Sequence, residues 1–104
     1  MFSMLYTTAG SEEEAERISK ELLERRLVAC ANIFPISSMY WWKGEIEKAE
    51  EYAIIFKTRS KLLRDAIATV KQLHSYEIPC LVSYECTGGN EEYLNWISDE
   101  TRES

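Results

Sequence analysis

The single histidine, His74, and three cysteines, Cys30, Cys80 and Cys86, are the side chains here best suited to hold a soft or borderline metal ion. Imidazole and thiolate suit copper and zinc. The sequence carries no Cys-x-x-Cys and no His-x-x-x-His, so no chelate is prepared by local spacing. Cys80 and Cys86 share a strand face but are separated by about 20 Å at strand rise, too far to share one ion within a chain. His74 is therefore the first candidate ligand, with Cys30 and Cys80 behind it. The competing readings are structural. Cys30, within Val28-Ala29-Cys30-Ala31-Asn32, also reads as a small buried apolar residue, and His74 as a hydrogen-bonded interface residue.

Catalysis has less support. A nucleophile needs an adjacent base, and His74 is the one imidazole, with no Gly-x-Ser-x-Gly elbow to serve it. No enzymatic activity is expected. Glu45, Glu47, Glu50 and Glu51, beside Lys43 and Lys48, read as a solvated strand face that protects an edge from aggregation.

The chain has 104 residues, enough for one domain spanning 1–104. Twelve Lys and Arg against eighteen Asp and Glu give a net charge of −6, which lacks the basic footprint of a nucleic-acid binder and is repelled by anionic lipid. Neither nucleic acid nor membrane is an expected partner. No apolar run approaches the roughly 20 residues of a bilayer span, and Met1 to Leu5 does not open a secretory leader. An odd number of widely spaced cysteines suits a reducing compartment, so a cytoplasmic location is expected.

These side chains must be positioned by a short series of elements. Phe2 to Thr8 alternates as a strand, and Ser11 with Glu14 forms a capping box ahead of a helix bearing Ala15, Ile18, Leu22 and Leu23, with Arg25-Arg26 in its last turn. Val28 to Trp42 and Ile46 to Thr58 read as two long strands joined at Lys43-Gly44, the first bent, bulged or at an edge because of Pro35. Ser60 caps a second helix with Leu62, Leu63, Ala66, Ile67, Val70 and Leu73 on its apolar face. An irregular connector over 74–79 leads to a strand over Cys80 to Thr87, and Asn90 caps a short helix over Glu91 to Ile97, with Ser98 to Ser104 frayed. The order predicts an α+β fold: a ferredoxin-like split βαβ sandwich with a long central β-hairpin and an extra C-terminal helix. Right-handed crossovers place both long helices on one sheet face, leaving the other open.

Hairpin arms of about 14 residues reach roughly 45 Å, whereas a domain of this size is about 34 Å across. The overhang carries Met39, Tyr40, Trp41 and Trp42. Half-burying three such rings represents several kcal/mol, at roughly 25 cal/mol per Å². A cyclic oligomer would cover them; the alternative is a hairpin folded back at Pro35 onto its own sheet.

Leu27-Val28-Ala29-Cys30-Ala31-Asn32, Ser38-Met39-Tyr40-Trp41-Trp42-Lys43-Gly44-Glu45-Ile46, Ile54-Ile55-Phe56-Lys57-Thr58, His74-Ser75-Tyr76-Glu77-Ile78-Pro79 and Gly89-Asn90-Glu91-Glu92-Tyr93-Leu94-Asn95-Trp96-Ile97 occur in this order. Together they resemble the CutA divalent-cation tolerance family over nearly the whole chain. The resemblance implies a tight cytoplasmic homotrimer, similar in architecture to PII signalling proteins, linked to tolerance of copper and other divalent metals. Weakly bound copper or zinc at subunit interfaces is then expected, and no organic cofactor. Tyr40, Trp41, Trp42, Tyr76 and Trp96 become interface or cleft packing groups, and Lys57 and Glu77 polar groups of a cleft. This chain departs from the usual motif at Ser75, where the family has proline, at Cys80, where it has an acid, and at Thr7, where some members carry cysteine. Two other readings follow from the architecture: a PII-like sensor holding an anionic small molecule in the inter-subunit cleft through Lys43, Lys57 and Arg59, and a structural trimerisation scaffold.

Overall fold

Alternation in the first strand sorts its residues cleanly. In the computed structural model, which describes residues 1–103, β1 spans Phe2–Ala9 and turns Leu5, Thr7 and Ala9 into the core, while Met4 and Tyr6 face the other way. Next come α1 (Glu12–Glu24), β2 (Cys30–Trp42), β3 (Glu45–Arg59), a 3₁₀ turn over Ser60–Leu62, α2 (Leu63–Leu73), β4 (Leu81–Glu85) and α3 (Glu91–Glu100). The four strands form one antiparallel sheet in the order β2-β3-β1-β4.

Helix α1 starts as its capping box predicts: the Ser11 hydroxyl accepts from the Glu14 N–H at 3.1 Å. Its end differs from expectation. Arg25 and Arg26 lie just beyond the last turn, and Arg26 takes φ +58°. The Leu27 N–H reaches the Leu22 carbonyl and the Arg26 N–H the Leu23 carbonyl, a Schellman closure with arginine where glycine is usual. Ala15, Ile18 and Leu22 of α1 then pack with Ala66 and Val70 of α2 over Leu5, Ile54 and Phe56 of the sheet.

The hairpin is long and unbroken. Pairing runs from Cys30–Lys57 to Trp42–Glu45, with Pro35 opposite Tyr52 and no bulge, because β2 is an edge strand and Pro35 needs no outer partner. Lys43 and Gly44 both have positive φ, as a two-residue type I′ loop requires. The domain's longest dimension is 44 Å. The ribbon does not fold back onto the sheet to hide its tip, since Met39 and Trp41 remain 70% and 71% exposed.

Four expectations need correction. The glutamate run is a solvated face only in part: Glu45, Glu47 and Glu50 are exposed on the stretch of β3 that pairs with β2 alone, but Glu51 is buried. Ser60 does not cap α2; it opens the 3₁₀ turn and shares a 2.6 Å hydrogen bond with the Ser3 hydroxyl. The last strand is shorter, with Cys80 and Cys86 flanking it. Finally, the C-terminal segment does not fray at Ser98. Helix α3 continues to Glu100, the Thr101 hydroxyl donates to the Ile97 carbonyl and accepts from Arg59, and Arg102 pairs with Asp65. Ser104 lies outside the described residues.

Candidate functional site

The connector from His74 to Cys80 closes one end of the sheet, and His74 anchors it. The end of α2 delivers the imidazole into full burial, where one ring nitrogen is 2.6 Å from the Thr8 carbonyl and the other accepts from the Tyr76 N–H at 3.0 Å. These bonds fix a neutral tautomer, with Nε2 as donor and Nδ1 as acceptor. Both nitrogens are therefore engaged, and a metal could use His74 only after one bond opens.

Glu14 supports the same connector. Its carboxylate accepts from the Ser75 N–H and hydroxyl at 2.9 and 3.0 Å and from the Gly10 N–H at 3.4 Å. Burial alone would raise the Glu14 pKa. The Ser75 N–H and hydroxyl, the neighbouring His74 and the Gly10 N–H outweigh it and hold the carboxyl below its ordinary value. Ser75 donates a backbone N–H that a proline at this position would lack.

Tyr76 lies against the His74 ring and sends its hydroxyl 2.7 Å to Glu51. Burial, then the Glu51 bond and charge, raise the Tyr76 pKa, so it stays a protonated donor. Glu51 is only 5% exposed, which overturns its reading as part of a solvated face.

Beyond Tyr76 opens a cleft of about 930 Å³ on the sheet face opposite α1 and α2. Tyr6 floors it, the hairpin supplies Tyr40, Trp41, Trp42, Glu47 and Glu51, and the connector supplies Tyr76, Glu77 and Cys80. Among the described residues, no Lys, Arg or His lines this cleft within one chain.

The structure separates the candidate ligands. Among the described residues, no three His, Cys, Asp or Glu side chains converge to hold a metal ion, so His74, Cys30 and Cys80 form no ligand set within one chain. Cys30 lies half-buried on β2 across from Lys57, its sulfur 3.8 Å from Asn32. Cys80 reaches the cleft, where burial and then the Glu51 charge push its thiol pKa up, keeping it protonated near neutrality.

Of the expected cleft groups, Tyr40, Trp41, Trp42, Tyr76 and Glu77 do meet there. Lys57 instead lines a smaller pocket of about 300 Å³, with its ammonium 3.4 Å from the Tyr93 hydroxyl. Trp96 stacks obliquely on Tyr93. Sequence reasoning missed Glu51 and Tyr6. Glu51 adjoins the apolar run from Tyr52 to Phe56, the one sequence sign of its burial.

Comparison with known proteins places these features. The family of CutA1 divalent ion tolerance proteins matches residues 3–100. A divalent-cation tolerance protein CutA from Archaeoglobus fulgidus is 52% identical, covering 99% of this chain and 100% of its own. A CutA homologue from Danio rerio is 34% identical over 98% of this chain and 69% of its own. Among solved structures, the A. fulgidus protein, described as periplasmic, superposes with TM-score 0.95 at 49% identity, covering 96% of this chain and 98% of that one. CutA1 from Oryza sativa gives TM-score 0.96 at 36% identity, covering 99% and 95%.

Proposed function

The chain belongs to the CutA1 divalent ion tolerance family, and from that premise we propose that it serves tolerance of divalent cations as a non-catalytic homotrimer binding copper or a similar ion weakly where subunits meet. The exposed hairpin tip carries this reading: Met39, Trp41 and Ile46 project from a ribbon that its own sheet leaves bare. Val82, Tyr84 and Met4 extend apolar exposure over the open sheet face, the kind of surface that marks an interaction site. The strand order supports the ferredoxin-like plan.

Pooling ligands from several copies fits a chain that gathers no set of its own. Cys80 and Cys30 are the available donors, and His74 joins them only by giving up a hydrogen bond. That cost, with a thiol held protonated, supports weak binding. Occupation of both imidazole nitrogens also supports the absence of catalysis, and three free cysteines support a reducing, cytoplasmic setting.

Sedimentation equilibrium and calorimetry with copper and zinc test the reading. A trimer that binds either ion, with heat reduced in Cys80→Ser, Cys30→Ser or His74→Ala, supports it. A folded monomer, or a trimer giving no metal heat, overturns it.

A further inference from the structure

Glu51 is 5% exposed, and among the described residues its side chain bonds only to the neutral Tyr76 hydroxyl. Glu47 and Glu77 border the same cleft. Buried charges are ordinarily paired, so a single copy leaves this carboxylate incomplete. Most lysines and arginines of the chain are committed elsewhere. Every arginine except Arg64 is bonded within its own chain, as is Lys57. Arg64, Lys20, Lys61 and Lys71 belong to α2, α1 and the 3₁₀ turn, the helical layer behind the sheet. Only Lys43 and Lys48, both exposed on the ribbon, remain.

Lys43 occupies the hairpin turn, over the Trp42 ring and two positions from the exposed Trp41. The ribbon tip thus offers a cation among apolar rings, and the cleft offers carboxylates among the rings of Tyr6, Tyr40 and Tyr76. Residues 43 to 51 span roughly 26 Å of extended chain, so Lys43 cannot reach the Glu51 of its own copy. Alternation turns Lys48 to the ribbon face away from Glu47 and Glu51. From this we infer that a sister subunit completes the cleft: the ribbon tip of one copy enters the cleft of the next, where its Lys43 supplies the cation that Glu51 lacks. The inference rests on the homotrimer reading and deepens it by naming the surfaces and charges that meet. Tip and cleft are different patches, so the contact is head-to-tail and closes as a ring, unlike a twofold dimer.

Sedimentation equilibrium over a dilution series of the full-length chain gives the trimer dissociation constant for the wild type, Lys43→Glu, Glu51→Gln and the double variant. Lys43→Glu, at an exposed turn, sets like charges together and should raise that constant at least about tenfold. Glu51→Gln, which keeps the side chain's shape, should also raise it in the wild-type background. In the Lys43→Glu background the same change should lower it, because a repulsion is removed. That reversal of sign is the signature of contact between the two positions. Additive losses, or a trimer indifferent to Lys43→Glu, overturn the inference and leave the trimer reading intact. A folded wild-type monomer overturns both. Should Glu51→Gln not fold, Lys48→Glu serves as the comparison. A loss confined to Lys43→Glu then supports the inference, whereas an equal loss from Lys48→Glu, the same charge elsewhere on the ribbon, overturns it.

Discussion

The Tyr76 hydroxyl donates to Glu51 across 2.7 Å, fastening the connector after α2 to the long hairpin. Among the described residues it is the only hydrogen bond of the Glu51 side chain, whose residue is 5% exposed. Tyr76→Phe should therefore cost about 1–3 kcal/mol, the penalty of leaving a buried acceptor unmade. Urea midpoints would measure it. In the Glu51→Gln background the same change should cost less, and equal losses in both backgrounds would show that the bond is not what couples the two segments.

Glu14 supplies a pH dependence whose sign follows from its lowered pKa. A carboxyl held below its ordinary value contributes stability above that value and loses it as pH falls through the lowered one. Glu14→Gln should thus cost about 1–2 kcal/mol at pH 7, where charged acceptors of Ser75 and Gly10 N–H groups are lost, and little near pH 3. Unfolding curves at both pH values check this. A loss of equal size at the two pH values refutes the assignment.

Arg26 holds φ +58° at the position where a Schellman closure favours glycine. A left-handed residue other than glycine costs roughly 1–2 kcal/mol, and the exposed Arg26–Glu100 pair returns at most about 1. Arg26→Gly should consequently raise stability by about 0.5 kcal/mol, read from the urea midpoint. A decrease would mean that the link from Arg26 to Glu100 and its carbonyl matters more than the strain.

The parts legible in the sequence are those written in local periodicity. Ser11 with Glu14 marked the start of α1, and Lys43-Gly44 marked the tip of a hairpin whose length was countable. What was not legible depends on contacts between distant residues. Glu45, Glu47, Glu50 and Glu51 look equivalent in order, yet Tyr76, 25 residues away, borders only Glu51. His74 was recognisable as a metal-ligand type, but Thr8 and the Tyr76 N–H decide that its nitrogens are spoken for. The anchored C-terminal segment was hidden in the same way, because Arg59 and Asp65 lie far from Thr101 and Arg102 in sequence.

Trp41 and Ile46 face each other across the ribbon near its tip, and both are exposed. An indole buries about 150 to 250 Å² when covered, several kcal/mol per subunit at roughly 25 cal/mol per Å². Because Trp41 touches little of its own chain, Trp41→Glu should leave the single domain folded while weakening the proposed contact with sister copies. The expected result is unchanged circular dichroism with a shift from trimer to single-chain mass in sedimentation equilibrium. Loss of folding together with assembly would mean the subunit is not stable alone, and Met39→Glu, further from the turn on the same ribbon, would then separate the effects by weakening assembly less. A trimer that survives both substitutions would place the joining surface on the open sheet around Met4, Val82 and Tyr84 instead of on the hairpin.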